Sequence, residues 1–119
     1  MKHLHFDVET DGFYGAYWAC AGGSSCAVIA MIGDDPEDRL ARSAAKWLCG
    51  RGVNVLTMSP AKKDYGHHNY PLERIEAAIS WLKTNGNHKI GIAGASTTGT
   101  LALTAAAMFP EITLTIAMT

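Results

Sequence analysis

The residue best placed to do chemistry is Ser96, in the run Lys89-Ile-Gly-Ile-Ala-Gly-Ala-Ser-Thr-Thr-Gly-Thr-Leu101. The run reads as a short buried strand, a tight turn and an alanine-rich helix. A serine between a strand end and a helix start has its hydroxyl pushed clear of the sheet, where it can attack a carbonyl carbon. Small residues must flank it, because the helix packs close against the strand. Gly94 and Thr98 hold those positions, two before and two after the serine. Thr98 departs from the usual glycine of such turns, and Gly99 follows it. The same glycine-rich stretch can also be read as a plain tight turn or a phosphate cradle.

An attacked carbonyl becomes an oxyanion and needs N–H donors. The amide of Thr97, at the positive end of the helix, is one candidate. A second set is expected in the loop after the preceding apolar strand, from Gly33 or Asp34. One such donor is typically worth about 100- to 1,000-fold in rate. Gly33 to Asp38 also carries the marks of a helix cap, with Asp35 expected as N-cap and Pro36 as first helical residue.

A serine nucleophile further needs a base and an acid, and in turns of this type they follow it in the chain. Only one strand's worth of residues follows Ser96. His67 and His68 precede it, as do Asp34, Asp35 and Asp64, so none is assigned as base or acid. The adjacent pair His67 and His68 lacks a third ligand at sensible spacing, and no metal or other cofactor is expected. His3, His5 and His88 read as surface residues.

The elements that must hold these residues alternate. Leu4, Phe6 and Val8 alternate with His3, His5, Asp7 and Glu9, as in a half-buried strand. Asp11-Gly12 then signals a two-residue hairpin turn into a strand over Phe13 to Cys20. Cys26 to Ile32 is a continuous apolar run, as in an interior strand covered on both faces. A helix follows, with Leu40, Ala44, Trp47 and Leu48 at helical spacing, stopped by Gly50 and Gly52. Then come a strand over Val53 to Met58, a polar loop to Asn69, and a helix opened by Pro71 with the stripe Leu72, Ile75, Ile79 and Leu82. The serine strand and its helix are next, broken at Phe109-Pro110, and Ile112 to Met118 forms a last strand. This order predicts an α/β fold: a mostly parallel sheet with helices on both faces and an N-terminal β-hairpin.

Composition sets the outer limits. A chain of 119 residues is at most one domain. The formal charge of −1 leaves no basic patch for phosphates, which argues against nucleic-acid binding. Lys62 and Lys63 read as a solvated pair. Three cysteines, Cys20, Cys26 and Cys49, form no Cys-x-x-Cys pair and suit a reducing compartment. The first residues lack the apolar run of a signal peptide, and no stretch is long enough to span a membrane, so the expected location is the cytoplasm.

The run from Cys26 to Thr119 resembles the N-terminal half of an α/β-hydrolase. It is similar to the catalytic domain of acyl-CoA thioesterases and bile acid-CoA:amino acid N-acyltransferases. The matching segments are Val-Ile-Ala-Met-Ile-Gly-Asp, Trp-Leu-Cys-Gly-Arg-Gly, Val-Asn-Val-Leu-Thr, Leu-Glu-Arg-Ile-Glu-Ala-Ala-Ile-Ser-Trp-Leu, and the serine turn Ile-Gly-Ile-Ala-Gly-Ala-Ser-Thr-Thr-Gly. Dienelactone-hydrolase-like enzymes and general esterases share the plan. The resemblance implies that Ser96 attacks a small-molecule ester or thioester, forms an acyl-enzyme, and passes the acyl group to water or an amine. It also implies that residues 1–119 are the first half of one domain, incomplete at its C-terminus. The acid and histidine would then come from a following segment or a second chain that completes the sheet. Two other classes compete. A dinucleotide-binding domain would read Gly91, Gly94 and Gly99 as a phosphate loop, but their spacing departs from Gly-x-Gly-x-x-Gly and no acidic residue follows suitably. A non-catalytic interaction module is the third.

Overall fold

The computed structural model describes residues 2–59, 71–95 and 97–118. His67, His68, Asp64, Lys62, Lys63 and Ser96 itself lie outside the described residues. The elements run β1 (Leu4–Phe6), α1 (Val8–Asp11), β2 (Gly15–Trp18), β3 (Cys26–Met31), α2 (Arg39–Cys49), β4 (Asn54–Met58), α3 (Leu72–Thr84), β5 (Lys89–Ala95), α4 (Thr97–Met108) and β6 (Ile112–Met118). The described strands form one sheet in the order β1-β2-β4-β3-β5-β6. β3, β4, β5 and β6 run parallel, while β2 lies antiparallel to both β1 and β4.

The two sides of the sheet sort by residue parity. Ala27, Ile29 and Met31 of β3, Leu56 and Met58 of β4, and Ile90 and Ile92 of β5 meet α3 and α4 through Ile75, Ala78, Ile79, Leu82, Ala102 and Ala105. The opposite face carries Ala16 and Trp18 of β2, Ala30 and Val55, and meets α2 through Ala45, with Leu48 and Cys49 beside it. Strands buried on both faces explain the unbroken apolar runs of β3 and β5, since neither face can tolerate unpaired polar groups. Two buried asparagines pin the far end of the sheet. Asn54 accepts from the Cys20 amide and donates to Ser24 O and to Asn87 Oδ1.

Three local expectations need correction. Asp11-Gly12 is not a two-residue hairpin turn. Val8–Asp11 coils into one helical turn, and Gly12, at φ 85°, closes it by donating to Val8 O. β1 and β2 still pair, through a longer connection. The competing local bond is Asp7 N–H to the Asp11 carboxylate at 2.9 Å, which favours a turn of helix over a flat strand. Second, the cap of α2 is Asp38, not Asp35. The Asp38 side chain accepts from Ala41 N at 2.9 Å. Pro36 lies before the helix, where its carbonyl accepts from Thr57 Oγ1 at 2.7 Å.

Third, α2 buries Ala41 and Ala45 rather than the larger stripe. Leu40 and Trp47 are 62% and 57% exposed. The sheet beneath already carries Trp18, so only alanines let the helix approach. Cys49 and Arg42 lie toward β2, with the Cys49 thiol against Trp18 O and the Arg42 guanidinium over the Trp18 ring. At 100° per residue, Leu40, Ala44 and Trp47 therefore fall on the opposite flank of the helix, the one facing away from β2. Among the described residues no helix is long and apolar enough to cross a membrane, and no group of three His, Cys, Asp or Glu is disposed to hold a metal.

Candidate active site

The site is assembled where β3 and β5, adjacent and parallel, both end. Their last rung pairs Met31 with Gly94. Two residues beyond it in the chain are Gly33 on one side and Ser96 on the other. β5 ends at Ala95 and α4 begins at Thr97, so the serine's neighbours are the strand and the helix expected of it.

The reversal between them is tight enough to dictate side chains. A Cβ built on Gly94 would lie 2.3 Å from Thr98 O and 2.6 Å from its carbonyl carbon, distances no real side chain tolerates. Gly94 is therefore required by the close approach of the helix backbone to the strand. Thr98, the departure from the glycine pattern, is buried and serves as a staple. Its Oγ1 accepts from the Ala95 amide at 2.9 Å, and its hydroxyl lies 2.8 Å from both Met31 O and Ala95 O as possible acceptors. The threonine thus ties the end of β5 to the end of β3 across the strands. Ala102 and Ala105 continue the close packing along the helix.

The facing loop, between β3 and α2, is equally constrained. Gly33 has φ 97°, and a Cβ there would meet the Asp38 carboxylate at 2.4 Å. That carboxylate collects main-chain donors: Asp34 N–H at 2.7 Å, Asp35 N–H at 3.2 Å and Ala41 N–H at 2.9 Å. The Gly33 carbonyl accepts from Ser59 Oγ at 3.2 Å. The amide of Asp34 is thus engaged by a side chain of its own loop, and it would have to leave Asp38 to reach an oxyanion. The amide of Thr97 stands at the start of a helix with no acidic residue in its first turn. An uncompensated helix start of this kind favours an anion.

Asp38 on this loop, and Tyr14, which reaches the loop from just before β2, have shifted acidities. Burial pushes the Tyr14 hydroxyl up to about 12, helped by its hydrogen bond to Asp35 and the negative charges of Asp35, Glu37 and Asp7. Burial would by itself raise the Asp38 carboxyl, but the amides of Ala41, Asp34, Asp35 and Leu40 outweigh it and hold the group below the ordinary carboxylate value. A carboxyl with a depressed folded value contributes stability that is full above its unfolded value and is lost as pH falls through the folded one. Acidification below about pH 4 therefore weakens the loop and the α2 cap together. Asp38→Asn keeps an acceptor oxygen but has no proton to gain. Its urea midpoint is expected to fall less than that of the wild type between pH 6 and pH 3.

No described histidine reaches the serine turn. His88 precedes β5 at the opposite end of the strand, roughly 20 Å away at 3.3 Å per residue. His3 and His5 lie on and beside β1, separated from β5 by β2, β4 and β3. Asp35 is committed to the Tyr14 hydroxyl and the Glu37 amide. What sequence reasoning missed is the bracing of the loop. Three aspartates within five residues compete for the cap, and spacing alone cannot rank them. The contact of Glu37 with His3, 34 residues away, has no local signal at all.

No family model matches the chain, and no curated protein does. Solved structures do. The chain is similar to a cold-adapted esterase from an Arctic intertidal metagenomic library, with a TM-score of 0.75, 20% identity, and coverage of 97% of this chain and 59% of that one. It is similar to the alpha/beta hydrolase GrgF from Penicillium sp. sh18, with a TM-score of 0.75, 25% identity, and coverage of 98% and 44%. A third likeness is to Est1E from Butyrivibrio proteoclasticus, with a TM-score of 0.68, 22% identity, and coverage of 97% and 49%. The chain spans about half the length of the solved structures it matches. Its fold is that of the α/β-hydrolases.

Proposed function

We propose that this chain is the nucleophile-bearing part of a serine hydrolase or acyltransferase acting on a small-molecule ester or thioester, acyl-CoA among the candidates. Ser96 Oγ attacks the acyl carbon. The C–O or C–S bond breaks, the leaving group departs with the serine's proton, and water or an amine later takes the acyl group from the serine. Thr97 N–H and Gly33 N–H are the proposed oxyanion donors, with Asp34 N–H in reserve behind its bond to Asp38.

The observation that carries this reading is the Gly94–Thr98 junction. A helix backbone forced against a strand end, in register with the loop after β3, is what a serine elbow requires. One structural neighbour is described as an esterase and another as an alpha/beta hydrolase, which supports the general substrate class. The three thiols, free among the described residues, suit the proposed cytoplasmic location.

The proposed base and acid come from polypeptide lying over β5 and β6, whether a following segment or a second chain. The apolar surface there supports this. Leu114 and Ile116 pair with Gly91 and Ala93 on the α2 side of the sheet and are 58% and 43% exposed. Leu40 and Trp47 flank the same space on α2. The strip over β5 and β6, two strands wide, is about 10 Å across, the spacing of one packed helix.

The test, on the chain together with the segment or second chain that supplies base and acid, is covalent labelling with a fluorophosphonate followed by peptide mass spectrometry. One phosphonyl adduct on Ser96 is expected. Labelling spread over surface tyrosines and lysines, with Ser96 unmodified, contradicts an activated serine.

A further inference from the structure

We propose that Glu37, gripped by His3 and His5 of the N-terminal hairpin, is a positioning residue that holds the β3–α2 loop against the serine turn. The function assigned to the loop rests on the acyl-enzyme reading above; the grip itself does not.

The loop's inner side is tied by Asp38, Ser59 and Thr57. Its outer side is tied by one carboxylate shared between two rings. Glu37 Oε2 meets His3 Nε2, and Glu37 Oε1 meets His5 Nδ1 at 3.2 Å. His3 and His5 are two apart along an extended chain and so share a face, which lets the two oxygens take one ring each. Both rings are braced from behind. His3 stacks on Trp18 with centroids 4.2 Å apart, and Trp18 Nε1 donates to Thr57 Oγ1 at 3.0 Å. His5 meets Asp7 Oδ1 at 3.2 Å and the edge of Tyr14 at 5.3 Å. The backbone of Glu37 is held as well. Its amide donates to Asp35 Oδ2 at 3.0 Å, Asp35 accepts from Tyr14, and its carbonyl accepts from Arg42 Nε at 2.7 Å.

The placement of this grip argues for more than decoration. An exposed ion pair is loosely ordered and worth little. Here the side chains of His3 and Glu37 are only 19% and 27% exposed. β1 is a three-residue edge strand that buries Phe6 against Phe13 and Trp81 on one face and leaves Leu4 in solvent. On the other face, His3 and His5 attach it to the loop that carries Gly33 and Asp34. Oxyanion donors are useful only when their positions are fixed before the charge develops. The hairpin, distant from β5 in the sheet, therefore acts on the site through the loop.

Hydrogen exchange and fluorophosphonate labelling of Glu37→Ala, Glu37→Gln and wild type test this on the chain together with the segment or second chain that supplies base and acid. In Glu37→Ala, amides of residues 32–38 should exchange about tenfold faster, with β3, β4 and β5 unchanged. The maximal rate of Ser96 phosphonylation should fall about tenfold or more, with little change in the probe concentration for half-maximal rate. Glu37→Gln, whose amide can accept from one ring and donate to the other, should recover most of both. Unchanged exchange in Glu37→Ala, or faster exchange spread evenly through the sheet, overturns the grip. Loosened exchange with an undiminished labelling rate overturns the positioning role. If wild-type Ser96 takes no label, the acyl-enzyme reading and the role drawn from it fall, while exchange still decides whether the grip exists.

Discussion

On the proposed acyl-enzyme reading, Ser96→Ala, in the polypeptide that carries base and acid, is expected to lower kcat by roughly 10⁴- to 10⁶-fold and to leave KM almost unchanged. The size follows from how nucleophile, base and acid act. They work as a unit, so removing the attacking hydroxyl costs about as much as removing all of them, and only oxyanion donors and binding remain. KM is spared because alanine keeps the shape of the site and loses only an atom that bonds in the transition state. Steady-state kinetics on a chromogenic short-chain ester measure both parameters. A variant that keeps more than about a tenth of the wild-type rate would show that the hydroxyl is not the attacking group. Thermal unfolding of the same variant should be close to wild type, separating loss of chemistry from loss of fold.

Gly94→Val is expected to prevent stable folding. Even its first added carbon would sit 2.3 Å from Thr98 O and 3.0 Å from Gly99 N, both main-chain atoms that cannot swing aside. The helix must retreat from the strand by about 1 Å to reach ordinary contact. That retreat breaks the Ala95 amide bond to Thr98 and the Thr98 link to Met31 O, both at the buried junction. Overpacking typically costs about 1–3 kcal/mol, and each buried group left unpaired about 1–3 kcal/mol more. A total of several kcal/mol is a large part of the roughly 5–15 kcal/mol that holds a domain together. Gly91→Ala is the control, because its nearest neighbour, Leu114 O, is 3.2 Å away near an edge strand that can yield. Urea unfolding should find Gly91→Ala modestly weakened, with Gly94→Ala weakened far more and Gly94→Val unfolded. Similar midpoints for the two alanine variants would mean that the junction is slacker than the geometry indicates.

Much of this architecture is legible in local pattern. The apolar runs of β3 and β5, the stripe Ile75, Ile79 and Leu82 of α3, and the strand–serine–helix order each reflect a periodicity that burial imposes on the chain directly. The N-terminal hairpin was legible as a pairing but not as a shape, because Asp11 could bond its own backbone and coil Val8–Asp11 into helix. On α2 the pattern misled. Leu40 and Trp47 recur at helical spacing, yet the sheet beneath is filled by Trp18, so the small faces of Ala41 and Ala45 turn inward.

The sequence alone determined the order of the main strands and helices from β3 onward, the mostly parallel sheet, and the strand and helix that flank Ser96, since each depends on residues near one another in the chain. Only the tertiary structure decided that Gly94 is forced by a backbone contact and that Thr98 joins two strands. The choice of Asp38 over Asp35 as cap, and the hold of His3 and His5 on the loop, belong there too. Those are contacts between segments far apart in sequence, and which of several equally suitable side chains makes them depends on distances that exist only once the sheet has formed.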